Sequence, residues 1–150
     1  MRDTTMPRAL GLGLIGGLLG TILMDAVMIA TFLSVDQPAD LFFTKVGEKL
    51  GGGATIGIVL HNIIGMTGGV IFALLVMSIP ALRIDRMRKG LLLGVTAGVI
   101  TIPLGCIPLA IWLGESIIDV IAFSIIPHLV WGTVLGWTMA RGLLGSTVRS

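Results

Sequence analysis

Four side chains of this sequence can do chemistry in a place short of water: Asp25, His61, Cys106 and His128. Imidazole is the commonest metal ligand, and a carboxylate or thiolate can complete its shell. Two histidines can also hold a haem b from opposite faces. Without any metal, an Asp and a His inside a membrane form hydrogen-bonded pairs or proton relays. Among ten basic and eight acidic residues, Asp25 alone lies well inside a long apolar run, and His61 and His128 are the chain's two histidines. No two of the four are three or four positions apart. Separate elements must therefore bring them together.

Those elements are membrane helices. Of 150 residues, 55% are apolar and 12% charged; a soluble domain carries about 25% charged residues. A globule this small cannot hide so much apolar surface, and the mean hydropathy of +1.04 agrees. A water-soluble monomer and a disordered chain are excluded, and one cysteine excludes a disulfide scaffold. Four runs, residues 9–33, 54–79, 91–113 and 116–140, are long enough to cross about 30 Å of hydrocarbon. Backbone groups in lipid must be satisfied within the segment, so each run is a helix. The first is too long for the apolar region of a signal peptide, and we expect it to be retained. The reading is an all-α membrane protein, one domain over residues 1–150.

Charge sets the orientation. Arg2 and Arg8 precede the first span, Arg83, Arg86, Arg88 and Lys89 separate the second from the third, and Arg141 and Arg149 follow the fourth. The other two connections carry Asp36, Asp40, Glu48, Glu115 and Asp119 against Lys45 and Lys49. Basic loops stay inside, so both termini are expected in the cytoplasm and the protein in the cell membrane. No basic stripe interleaved with aromatics exists, which speaks against nucleic acid.

The connection 34–53 is long. Asp40 suits a helix N-cap and Gly51 a stop, and Phe42, Val46 and Leu50 recur every fourth residue. This predicts a short amphipathic helix on the outer surface. Spans two and four share HxxxGxxxG, as His61-Gly65-Gly69 and His128-Gly132-Gly136. Laying Gly16 and Gly20 on Gly94 and Gly98 sets Asp25 opposite Pro103 and gives two tandem helical hairpins, a parallel repeat. Stripes of small residues (Gly13, Gly17 and Thr21; Gly65 and Gly69; Gly90, Gly94, Gly98 and Gly105) allow close helix approach.

At 1.5 Å per residue, Asp25, His61 and Cys106 lie roughly 10–12 Å from the outer ends of their spans and His128 roughly 18 Å. They are expected to share one layer, with Thr21, Asn62 and Thr101 as hydrogen-bonding neighbours. Three readings stay open. One is an Asp/His network that ties a non-catalytic accessory subunit together and docks it to other membrane subunits or to itself. The second is a cofactor site: haem b on His61 and His128 with Gly65 and Gly132 thinning the walls, or copper or zinc on Asp25, His61, His128 and Cys106. Only Lys45 and Lys49 are near enough to receive haem propionates. The third is a small proton- or metal-coupled transporter, in which Pro103, Pro108 and Pro127 break spans three and four.

No nucleophile triad, CxxC, HExxH or nucleotide loop is present, and no enzyme activity is expected. Glu115 and Asp119 read as solvated rim carboxylates. Trp112, Trp131 and Trp137 read as interface anchors or lipid-facing bulk, and Met24, Met28, Met66 and Met139 as gap-fillers. With its four spans, its HxxxG in helices two and four and its Asp-bearing first helix, the chain resembles small prokaryotic four-helix membrane proteins of unassigned function. The resemblance covers nearly the whole chain and implies the fold and location, with no activity. By analogy of fold, such proteins also serve as accessory subunits of respiratory and copper-oxygenase complexes.

Overall fold

The computed structural model describes residues 5–145. Arg2 and Arg149, used above for orientation, lie outside them. Among the described residues there are six α-helices: α1 (Met6–Ser34), α2 (Leu41–Glu48), α3 (Ala54–Ser78), α4 (Met87–Thr101), α5 (Ile107–Leu113) and α6 (Ile117–Leu144). A five-residue π segment, Ile102–Cys106, joins α4 to α5 into one span. Four helices are thus long and apolar enough to cross a membrane, at Met6–Ser34, Ala54–Ser78, Met87–Leu113 and Ile117–Leu144. Large apolar side chains stay uncovered around the bundle, among them Leu92, Leu104, Ile111 and Ile118. That is costly in water and neutral in lipid. The molecule is a multi-pass membrane protein of four helices.

Helix α1 packs on α3 and on α6, and α6 packs on α4. The edge between α3 and α4 has no comparable packing. Backbone contact through glycine makes each seam. A Cβ on Gly13 or Gly17 would strike the carbonyls of Gly69 and Gly65 across the α1/α3 seam. Across the α4/α6 seam, Gly90 and Gly94 meet the backbone of Gly136 and Gly132, and Gly98 that of His128. Two stripes of α1 serve two neighbours. Gly13 and Gly17 face α3, while Gly16 meets Leu135 and Thr138 of α6 and Gly20 meets Trp131.

This corrects the register of the repeat by one residue. Gly13 and Gly17 are the counterparts of Gly90 and Gly94, because both pairs close the seam inside their own hairpin. Gly16 and Gly20, aligned from sequence with Gly94 and Gly98, belong to the contact between hairpins. Asp25 therefore corresponds to Ile102, the first residue of the π segment, rather than to Pro103. Gly105 is corrected too: it has open space around it and closes no seam.

The prolines behave differently in the two spans. Pro103 lies within the π segment and Pro108 at the start of α5, where a missing N–H costs little. Pro127 sits inside an unbroken α6, so span four is not divided as expected. Its missing N–H still removes the usual donor to the Phe123 carbonyl.

The short helix occurs where predicted, but its buried face is Phe43, Val46 and Gly47, while Leu50 is exposed. Gly57 admits the Phe43 backbone and Gly47 that of Gly53, so α2 docks on the first turns of α3. Asp40 occupies the N-cap position without a side-chain cap, and its carboxylate accepts instead from Thr44 Oγ1 at 3.2 Å. Gly51 does turn the chain, with φ 78°. Trp131 is another correction: it is 5% exposed, wedged against Gly20 and Gly68, and part of the central core with Leu135 and Met139. Trp112 and Trp137 remain exposed.

Candidate functional site

Helix α1 presents Asp25 one helical step beyond Thr21, the residue that closes its seam with Gly65 of α3. The seam therefore delivers the carboxylate to the next turn of α3, where His61 and Asn62 stand. Asp25 Oδ1 lies 2.6 Å from His61 Nδ1, and Asn62 Nδ2 donates to Asp25 Oδ2 at 3.2 Å. Both members of the pair are largely buried, at 13% and 15% side-chain exposure. A carboxylate accepting from Asn62 and from the imidazole has a partner on each oxygen. The remaining ring nitrogen of His61, Nε2, has no partner among the described residues. The rings of Phe42 and Phe43 flank the imidazole, their centroids 5.3 and 5.9 Å from its own.

His128 is held differently. Its Nδ1 is 2.9 Å from the Ser124 carbonyl one turn earlier on α6. A carbonyl only accepts, so Nδ1 carries the proton and Nε2 keeps a lone pair. That Nε2 faces the thiol of Cys106 at 3.9 Å, a long contact to a weak donor. Cys106 ends the π segment. The wider turn there carries it to the α6 side of span three, where it is buried.

The four residues expected in one layer thus form two pairs, Asp25–His61 and Cys106–His128. They do not form one metal shell: among the described residues no three His, Cys, Asp or Glu side chains converge as a metal site. The reason lies in the seams, since each histidine is paired within its own hairpin. Thr21 and Thr101 do not join Asp25; their hydroxyls donate to the Gly17 and Gly98 carbonyls of their own helices. Gly65 and Gly132 thin no cofactor wall either, because both lie inside glycine seams.

What joins the pairs is space. A cavity of about 730 Å³ opens at the α2 end of the bundle, and His61, Cys106 and His128 all line it. Its walls come from α1, α2, α3, span three and α6 and are mainly apolar, with Met24, Met28, Phe42, Leu109 and Trp112. The cavity lies between α3 and the second half of span three, residues 105–113, which do not pack together. Ile64, which lines it, is 58% exposed, so it opens sideways towards lipid as well as towards its mouth. At the mouth Lys45 Nζ and Glu115 Oε1 are 2.5 Å apart, bridging α2 to the turn before α6. Glu115 is therefore paired rather than free. Asp119 also lines the cavity and lies on the same rim.

A model of the family of unknown function DUF6789 matches residues 7–145. The chain belongs to this family. No curated protein and no solved structure matches it. The DUF6789 match includes both seams, both histidines, Asp25 and every residue that lines the cavity.

Several site residues escaped sequence reasoning. Ser124 is legible afterwards, because a helical histidine reaches the carbonyl four residues back. The place of Phe42 and Phe43 against His61 depends on how α2 folds back, and no local signal carries that. Asp25→Ala should destabilise the bundle by about 1–3 kcal/mol, since it leaves His61 and Asn62 without their shared acceptor. Asp25→Asn, which keeps an acceptor oxygen, should lose less than half of that. Reversible unfolding in mixed micelles measures both; equal stability of wild type and the Ala variant would refute the pairing.

Proposed function

We propose that this protein is a non-catalytic membrane subunit that holds a small lipid-soluble ligand in the cavity between its four spans. The observation that carries the reading is one cavity lined by two imidazoles, each with Nδ1 engaged by an acceptor, Nε2 of His61 having no partner among the described residues and Nε2 of His128 only the long contact to Cys106. Metal-ligating histidines are oriented in this way, by a carboxylate or a backbone carbonyl on the far ring nitrogen, and a neutral ring so fixed can equally accept at Nε2 from an organic donor. Mostly apolar pockets with a few convergent polar groups are the usual form of small-molecule sites. The cavity lies among the membrane-spanning helices, which supports a role within the bilayer, and we assign it beside other membrane subunits. Arg8, Arg83, Arg86, Arg88, Lys89 and Arg141 lie at or near the opposite end, so we place that end in the cytoplasm and the cavity in the outer half of the cell membrane.

Gentle solubilisation from the source membrane tests this reading. Native gels should show co-migrating membrane proteins. A solvent extract of the purified protein should yield one small apolar compound, reduced at least about tenfold in a Ser124→Trp variant that fills the cavity. A wild-type extract without such a compound, or equal amounts from both proteins, would refute it.

The same fixing of both rings favours a second reading, haem b held between His61 and His128. Its propionates would meet Glu115 and Asp119 at a mouth where Lys45 is already paired. A Soret band in the purified protein would establish this reading, and a colourless protein that leaves the spectrum of added haemin unchanged would end it.

A further inference from the structure

We propose that the ligand of this cavity is a lipid-soluble hydroquinone, its two ring hydroxyls donated to Nε2 of His61 and Nε2 of His128. The inference rests on the ligand-binding reading above and names the class of ligand. It follows from proton bookkeeping at the two rings. His128 donates through Nδ1 to the Ser124 carbonyl, so its Nε2 can only accept while the ring is neutral. His61 meets the Asp25 carboxylate through Nδ1 at 2.6 Å, so Nδ1 carries a proton there, and while that ring is neutral its Nε2 is likewise an acceptor. Two acceptors facing one cavity select a ligand with two donors. A quinone, whose ring oxygens only accept, matches neither.

Charge and shape narrow the class further. The lining holds one cation, Lys45, against Glu115 and Asp119, so its balance is negative. A carboxylate or phosphate head group would meet the wrong sign; a neutral one meets no penalty. The histidines stand on α3 and α6, helices that both pack on α1 and not closely on each other. Phe32, Phe42, Phe123 and Trp112 give the cavity flat aromatic walls, which match a flat ring. The opening beside Ile64 gives an apolar tail a way into the lipid without crossing the charged mouth. Cys106, 3.9 Å from His128 Nε2, is the weak partner that a ring hydroxyl would displace.

The test is anaerobic calorimetric titration of the full chain in lipid nanodiscs, with empty nanodiscs subtracted. Three probes share one ring and one decyl tail: the hydroquinone, the quinone, and the hydroquinone with both hydroxyls methylated. The hydroquinone should bind at least about tenfold tighter than the other two. His61→Phe and His128→Phe should each remove that advantage and leave the methylated probe within about twofold of its wild-type affinity. Equal affinity for all three probes would overturn the inference and leave the ligand-binding reading standing, as would tighter binding of the quinone. Failure of all three to bind, while the protein still yields another apolar compound on extraction, would overturn the inference alone. If a Phe variant does not fold, the comparison of hydroquinone with its methylated form decides by itself.

Discussion

Gly94→Leu should prevent assembly of the second hairpin. A Cβ at position 94 would lie 2.6 Å from Gly136 Cα and 2.7 Å from Gly136 N, and would overlap the Gly132 carbonyl. Overpacking against side chains costs about 1–3 kcal/mol because rotamers can yield. Backbone cannot turn aside, so α4 must separate from α6 along the whole seam, and the cost should reach or exceed the top of that range. Gly11→Leu is the control. Nothing stands within 4 Å of its Cβ position, and its change should stay within about 0.5 kcal/mol. Size-exclusion profiles and thermal unfolding in detergent separate the two. Similar behaviour would contradict the seam.

Trp131→Ala should cost about 3–5 kcal/mol, the usual range for deleting a large buried aromatic. The indole is 5% exposed and fills the space that Gly20 and Gly68 leave open, so its removal creates a void among three helices. Trp131→Phe should cost much less, under about 1.5 kcal/mol, because Nε1 is buried without a hydrogen-bond partner and its loss breaks none. Trp137→Ala gives the contrast. That ring is 43% exposed and holds the Arg141 guanidinium 5.1 Å above it, a contact worth about 0.5–1 kcal/mol. Denaturant titration in micelles ranks the three variants. An order with Trp137→Ala as the most damaging would contradict the placement of Trp131.

The two glycine seams explain why one half of the site is a carboxylate–imidazole pair and the other is not. Once the register is shifted by one residue, Asp25 and Ile102 are equivalent positions on equivalent helices. In the first hairpin this position holds a carboxylate that reaches His61. In the second it holds an apolar residue at the start of a π segment, and the histidine turns to its own helix and to Cys106 instead. The repeat thus supplies two rings in similar places, and its divergence gives them different anchors at Nδ1.

The sequence by itself determined the four spans, the all-α class, the short helix in the first long connection and the candidate residues Asp25, His61, His128 and Cys106. Length and hydropathy decide these, because lipid leaves a long apolar run no fold but a helix. Tertiary structure decided the partners. Gly16 and Gly17 are neighbours in sequence, yet they face different helices, and no pattern within one helix says which face meets which neighbour. The same holds for Trp131, whose type fits an interface anchor and whose place is a core gap made by two glycines on other helices. Helix packing is a matter of complementary surfaces far apart in the chain, so the cavity between α3 and α5, and the two imidazoles that share it, appear only once the seams have closed.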